Sequence, residues 1–343
     1  MRNEPRYWNE ATLAPTEAKR QHYVPRMYLE AFTGVDRKTR VVDLDEGKEF
    51  RTSVRNAAVE TYFNDVEIGD EHLSTEEWLS ELEGLASPVL TELINDPTSI
   101  CSLSLDEELR LARFITALKF RTPAFREWND DLMSRMASQI KEIIKDSLYH
   151  QLEKEEADAY WNIWGEKPDY WWIHQSDSYQ PSATSASMLS EVQGFANLLI
   201  AAAWKIGNVP DSIQLYTSDN PVSSYLRPVR PWWEGGAFAS YDYFIPLSPR
   251  VLLKIERRPY CNGNENLKRR GRRRYRDFSR GETSFARHVV TVNATRYLFG
   301  EGLVVARECA TSCIERIGRA NLAFAMRYLG FDPRPPAGQG FPV

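Results

Sequence analysis

Leu215-Tyr216-Thr217-Ser218-Asp219-Asn220-Pro221-Val222 is the point at which an apolar, strand-forming run stops abruptly at a cluster of small polar residues. The alternation from Ile213 to Tyr216 predicts a strand within a sheet. Thr217, Ser218, Asp219 and Asn220 then set hydroxyls, a carboxylate and an amide at its carboxyl end. Pro221 fixes its own φ and biases Asn220 toward extended geometry, so no helix starts there. A rigid strand ending in a loop is a common seat of chemistry. Asp and Asn also bond their own backbone readily, so the same cluster reads equally well as turn punctuation.

Outward from this stretch the chain changes character. On its carboxyl side, Tyr241 to Leu247 and Val251 to Glu256 read as strands joined by a tight turn at Ser248-Pro249-Arg250. Val289 to Arg296 suits either a strand or the inner side of a helix, and Arg296 to Val305 looks extended. On its amino side the pattern is helical. Ser74-Thr75-Glu76-Glu77 and Ser104-Leu105-Asp106-Glu107 have the form of capping boxes, opening helices to about Asn95 and through Leu118. Arg121-Thr122-Pro123 interrupts the second, a third runs to about Ala159, and Ser185 to Lys205 forms another. Val41-Val42-Asp43-Leu44 with Gly47 and Phe50 suggests a hairpin, and Pro25 suits the first turn of a short helix carrying Tyr28, Leu29 and Phe32. The expectation is an α+β protein. Residues 1–20 form a flexible arm, and residues 21–331 one large domain. In it a helical part (about 70–208) packs on an antiparallel or mixed sheet (about 213–305), followed by a final helix (about 308–329) and a disordered tail (332–343).

The chain has 343 residues, 42% hydrophobic and 27% charged, with a formal net charge of −5. That is the balance of an ordinary globular protein and argues against a globally basic nucleic-acid binder. No apolar run is long enough to span a bilayer and the amino terminus lacks a signal-peptide core, so a cytoplasmic protein without membrane contact is expected. Cys101, Cys261, Cys309 and Cys313 have no zinc-like spacing. P-loop, dinucleotide-binding, nucleophile-elbow and zinc-helix motifs are all missing from the sequence.

His22-Tyr23-Val24-Pro25, Arg121-Thr122-Pro123, Thr217-Ser218-Asp219-Asn220-Pro221-Val222, Pro246-Leu247-Ser248-Pro249 and Val292-Asn293, in this order and spacing, resemble an uncharacterised, mainly bacterial family, the domain of unknown function numbered 4238. The resemblance covers residues 20 to 305. It implies an architecture and a set of positions to inspect, without a reaction. The basic segment around Arg270 departs from the family pattern.

His22, one of five histidines, can act as base or metal ligand near neutral pH, or serve as a cap. Asp219 can orient it, hold a cation or position water, and Asn220 can donate to a developing oxyanion or fix the loop. Arg121 beside a helix break can clamp a phosphate or pair with a glutamate of the first long helix. Glu77 and Glu81 share a helix face, which permits a shared cation but reads first as solvated surface. Lys268 to Arg280 crowds cations, including Arg272, Arg273 and Arg274, around Tyr275 and Phe278. Such a loop is expected to stay mobile until a polyanion neutralises it, or to fold against acidic helices of its own chain. Trp161, Trp164, Tyr170, Trp171 and Trp172 form an aromatic segment (161–172) suited to a core or a protein partner.

The leading expectation is a nuclease-like phosphodiester hydrolase. His22, Asp219 and Asn220 are its catalytic group, Arg121, Tyr23, Arg272, Arg273 and Arg274 contact substrate, and Mg²⁺ or Mn²⁺ is its metal if one is used. Such an enzyme would suit a bacterial defence role. The competing expectation is a nucleic-acid-binding or protein-interaction module in which His22 and Asp219 only lock the fold. Both place the His22 motif against the Asp219 loop.

Overall fold

The computed structural model describes residues 14–15, 19–68, 71–168, 191–226, 241–256, 272–301 and 303. In chain order the amino-terminal part forms β1 (Ala14–Pro15), β2 (Arg20–His22), one helical turn α1 (Arg26–Leu29), β3 (Lys38–Asp43), β4 (Lys48–Ser53), β5 (Val59–Thr61), β6 (Asp65–Ile68) and β7 (Glu71–Ser74). Helices α2 (Glu76–Asn95), α3 (Leu105–Phe120), α4 (Pro123–Gln151), α5 (Lys154–Trp164) and α6 (Val192–Ala201) follow. The remainder is β8 (Ala203–Asn208), β9 (Thr217–Ser218), β10 (Ser223–Leu226), β11 (Tyr241–Pro246), β12 (Val251–Glu256), β13 (Arg273–Tyr275), α7 (Arg280–Asn293) and β14 (Tyr297–Phe299).

The α+β class holds, but the sheets draw on more of the chain than residues 213–305. A five-stranded sheet runs β10-β11-β12-β8-β13, antiparallel except for the parallel β13 edge. A four-stranded antiparallel sheet, β4-β3-β14-β9, joins the amino-terminal hairpin to the far end of the chain. Smaller ladders pair β2 with β5, and β1 and β6 with β7. Ala14–Pro15, inside the stretch expected to be a loose arm, is therefore held in a ladder. Residues 1–13, the whole segment 169–190 with Tyr170, Trp171 and Trp172, Lys268 to Gly271, the helix expected at 308–329 and the tail lie outside the described residues.

Several elements differ from expectation for local reasons. Ile213 to Tyr216 is not in a ladder; only Thr217–Ser218 pairs, and Leu215 is tied by its N–H to Pro249 O at 2.9 Å. The helix expected to reach Lys205 stops at Ala201, because Trp204 and Ile206 alternate inward as a strand does. Gly207 in that strand lets the chain after β13 pass against it, since a Cβ there would lie 2.0 Å from Arg276 O. Ser104 and Glu107 do form a reciprocal capping box. The box expected of Ser74 and Glu77 does not form at α2: Thr75 is the cap position and makes no side-chain cap, Ser74 Oγ accepts from Glu76 N–H at 3.3 Å, and the Glu76 carboxylate takes the Asn64 amide at 2.8 Å. Thr122 caps α4 through Phe125 N–H at 3.3 Å with Pro123 in the first turn, and that long helix breaks at Leu152 before α5.

The core explains why α1 matters. Tyr28, Leu29 and Phe32 are fully buried between helices α2, α3 and α6 (Leu93, Leu111, Ile115, Ala196) and the five-stranded sheet (Trp204, Ile206, Leu253, Ile255). At roughly 1.5–3 kcal/mol for each large apolar side chain buried, this turn fastens helices to sheet.

Candidate functional site

Two polar assemblies form where the motifs converge, and they differ in how completely their atoms are used. The first is built on Asp219. Its carboxylate is buried and accepts three backbone N–H bonds, from Thr295 to Oδ1 at 2.8 Å and from Arg296 and Tyr297 to Oδ2 at 2.6 and 2.8 Å. Its own N–H returns to Tyr297 O at 3.0 Å. Burial pushes this carboxyl up to about 6 against the lowering effect of those N–H groups. Asn220 is equally occupied: its carbonyl accepts from Lys119 Nζ at 3.2 Å and its amide donates to Asn293 O at 3.0 Å. Asn293 in turn spans Ser224 and Val289. Tyr28 OH donates to Pro246 O at 2.5 Å, so it accepts from Thr217 Oγ1 at 3.0 Å. The Thr217-to-Val222, Pro246-to-Pro249 and Val292-Asn293 motifs therefore interlock through Tyr28 and Lys119, and in this assembly they act as a clasp.

The second assembly lies around Arg121. His22 Nε2 is 3.1 Å from Val54 O, and a carbonyl only accepts, so this nitrogen carries the proton and Nδ1 keeps its lone pair. Nδ1 has no hydrogen-bond partner among the described residues. Burial lowers the His22 pKa below 6.5 against the raising effect of the Val54 bond, and the charges of Arg26 and Arg121 act in the lowering direction, so the neutral ring is favoured at pH 7. The Arg121 guanidinium is 3% exposed and donates Nη1 to Glu83 Oε1 at 2.7 Å, while Nε and Nη2 meet no partner. Asn129, 1% exposed, leaves both amide atoms unpartnered, as do Arg126 Nε and Asp65 Oδ2. Six of the nine buried, unpartnered side-chain atoms among the described residues thus fall on Asp65, Arg121, Arg126 and Asn129.

Arg126 donates to Phe63 O and lies 3.8 Å over the Phe63 ring, and Asn129 follows one turn later on α4. Gln21 bonds Asp65, and Asn64 bonds Glu76. Glu76 is raised by burial and feels the charges of Arg121, Glu83 and Asp65.

His22 and Asp219 are not hydrogen-bonded to each other. Tyr23, the buried neighbour of His22, is raised by burial and then by the Asp219 charge, so the two assemblies stand back to back across residues 22 and 23. The structure places His22 with Arg121 and Glu83, and Tyr23 with Asp219. Glu77 and Glu81 are exposed, as a solvated face requires. Asn129 and Lys119 escaped sequence reading, although each is a polar residue one turn beyond an apolar one, Phe125 and Ile115, on an inward-facing stripe.

The basic segment is ordered where it is described. β13 runs parallel to β8 at the sheet edge, so its side chains alternate. Arg273 turns inward to Glu108 at 2.7 and 3.1 Å, both side chains almost fully buried, and adds bonds to Ala202 O and Ile200 O. Arg272 and Arg274 face out. Folding against an acidic helix is thus what this stretch does, and the expectation of a mobile loop fails for Arg272 to Arg280. On α5, Ile163 is 66% exposed beside Tyr160 and Trp164.

Among the described residues no group of three or more His, Cys, Asp or Glu side chains is placed to hold a metal ion, and no helix is long and apolar enough to cross a membrane. No curated protein and no solved structure matches the chain. Residues 20–306 match the family model described as protein of unknown function (DUF4238), and the chain belongs to that family.

Proposed function

We propose that this protein hydrolyses a phosphate ester, a phosphodiester in its leading form, at the Arg121 assembly. The supporting observation is the buried Arg121 guanidinium with Nε and Nη2 unpartnered beside a neutral histidine whose Nδ1 is free. Leaving buried donors unmade costs about 1–3 kcal/mol each, a penalty that an anion would relieve. A guanidinium offers two parallel N–H groups to two oxygens of one phosphate, and Glu83 holds its plane. His22 Nδ1 would take a proton from water as the new P–O bond forms, then return it to the leaving oxygen as the ester P–O bond breaks. Asp219 and Asn220 serve as positioning residues that clasp the strand carrying them, because their polar atoms are already engaged.

The test is turnover of bis(p-nitrophenyl) phosphate and of labelled oligonucleotides, with Mg²⁺, Mn²⁺ or EDTA. His22→Ala and Arg121→Lys are each expected to lower kcat by about 100-fold or more with folding retained. In the wild type, kcat/KM is expected to rise with pH through a midpoint below 6.5 and then level off, since the base must be unprotonated. Turnover unchanged in both variants would move the reaction elsewhere. No turnover on any ester would leave the second reading, a binding module locked by the same residues, which the fully engaged Asp219 favours.

A further inference from the structure

Beside β8 and β13 lies an open cavity of about 580 Å³ lined by Ala203, Trp204, Lys205, Glu256, Arg272, Arg274, Arg276 and Glu282. Among the described residues that line it, its charges are not balanced. Lys205 and Arg276 both bond Glu282 Oε1 at 2.6 Å, and Lys254 takes Glu256 at 2.7 Å. The Arg272 and Arg274 side chains line the same cavity, are exposed, and have no hydrogen-bond or ion-pair partner among the described residues. They are two residues apart on one strand edge, so they project from the same side about 7 Å apart.

Arg273 between them is not available, being spent on Glu108 and stacked 4.3 Å over the Trp204 ring. That internal pair makes the arrangement rigid: it anchors β13 to the body and leaves its two neighbours presented outward. A row of cations at strand spacing fits a chain of phosphates in extended form. An α-helix or a folded acidic patch would not match that spacing along a straight edge.

We propose that this cleft binds the sugar-phosphate backbone of single-stranded nucleic acid, with Arg272 and Arg274 each taking one phosphate, Lys205 and Arg276 contributing once Glu282 releases them, and Arg273 taking none. The inference is independent of hydrolysis at His22. Affinity is expected to be electrostatic and to carry little base preference.

The experiment is fluorescence anisotropy of short labelled single strands of DNA and RNA, and of a matched duplex, titrated in EDTA over a range of salt. Full-length protein carrying His22→Ala is used, so cleavage does not interfere. The parent is expected to bind single strands with a salt slope that falls by about 1.4 when Arg272→Gln and Arg274→Gln are combined, two phosphates at about 0.7 each. Affinity at fixed salt is expected to drop at least tenfold, with the melting temperature unchanged. A second variant, Arg272→Ala alone, is expected to take half of the slope change. No binding by the parent overturns the proposal, as does an unchanged slope in the double variant, tighter binding to the duplex, or equal binding to polyglutamate. Loss of turnover in the ester assay with retained binding here would sink only the hydrolase.

Discussion

Asp219 shows how a residue can carry every mark of a catalytic carboxylate and be used otherwise. A strand end and small polar neighbours were legible in the sequence, but which groups the carboxylate would meet depended on the Thr295 to Tyr297 backbone, some 76 residues away. Removing it in Asp219→Ala leaves three buried N–H groups unpaired. The expected loss is about 3–5 kcal/mol in urea unfolding, and a loss under about 1 kcal/mol would refute the clasp. Lys119 offers a pH test of the same assembly. Its amine is lowered by burial to about 8 from an ordinary 10.5, with only Asn220 Oδ1 and Val222 O as acceptors among the described residues. Because the folded value lies below the unfolded one, its contribution is complete above 10.5 and lost as pH falls through about 8. Relative to Lys119→Met, the wild type is therefore expected to gain stability between about pH 8 and pH 10, by on the order of 2 kcal/mol, and to show a constant difference below pH 7. Parallel urea curves at each pH decide this; a wild type that loses stability relative to Lys119→Met over the upper range contradicts it.

At the scale of elements, β13 is the clearest case of sequence ambiguity settled by one long-range pair. A run of arginines is repulsive on its own, and only the buried Glu108 on α3 converts one of them into a strand anchor. Breaking the pair with Glu108→Gln is expected to cost about 3–5 kcal/mol, because the Arg273 charge is then buried without its partner. Replacing both residues by Leu and Met is expected to restore most of that loss, since the desolvation penalty goes with the charges. If the double variant is as unstable as the single, the anchor is shape rather than charge. Tyr28→Phe tests the neighbouring junction: it strips the donor from Pro246 O and the acceptor from Thr217, and about 1–2 kcal/mol should follow in the same assay.

Across the whole molecule, one apolar cluster takes in Tyr23 and Phe32 near the start, α2, α3 and α6, the five-stranded sheet and Phe299. Helical and sheet portions share it, so they are expected to unfold together. Far-UV and near-UV circular dichroism should give coincident urea transitions, and separate midpoints would show two units. Periodicity, proline and capping residues determined much of this protein before any contact was known: α3 with its Ser104 box, the break at Arg121-Thr122-Pro123, the β3 and β4 hairpin, the β11 and β12 pair and the α+β class. These are local, because a helix or a hairpin turn is written within a few residues. Tertiary structure alone decided that Trp204 and Ile206 belong to a strand, that the amino-terminal hairpin joins β14, that Asp219 is consumed by backbone and that Arg121 is left with free donors. Each of those depends on a partner far along the chain, and whether a polar atom is satisfied is a property of the fold rather than of the residue.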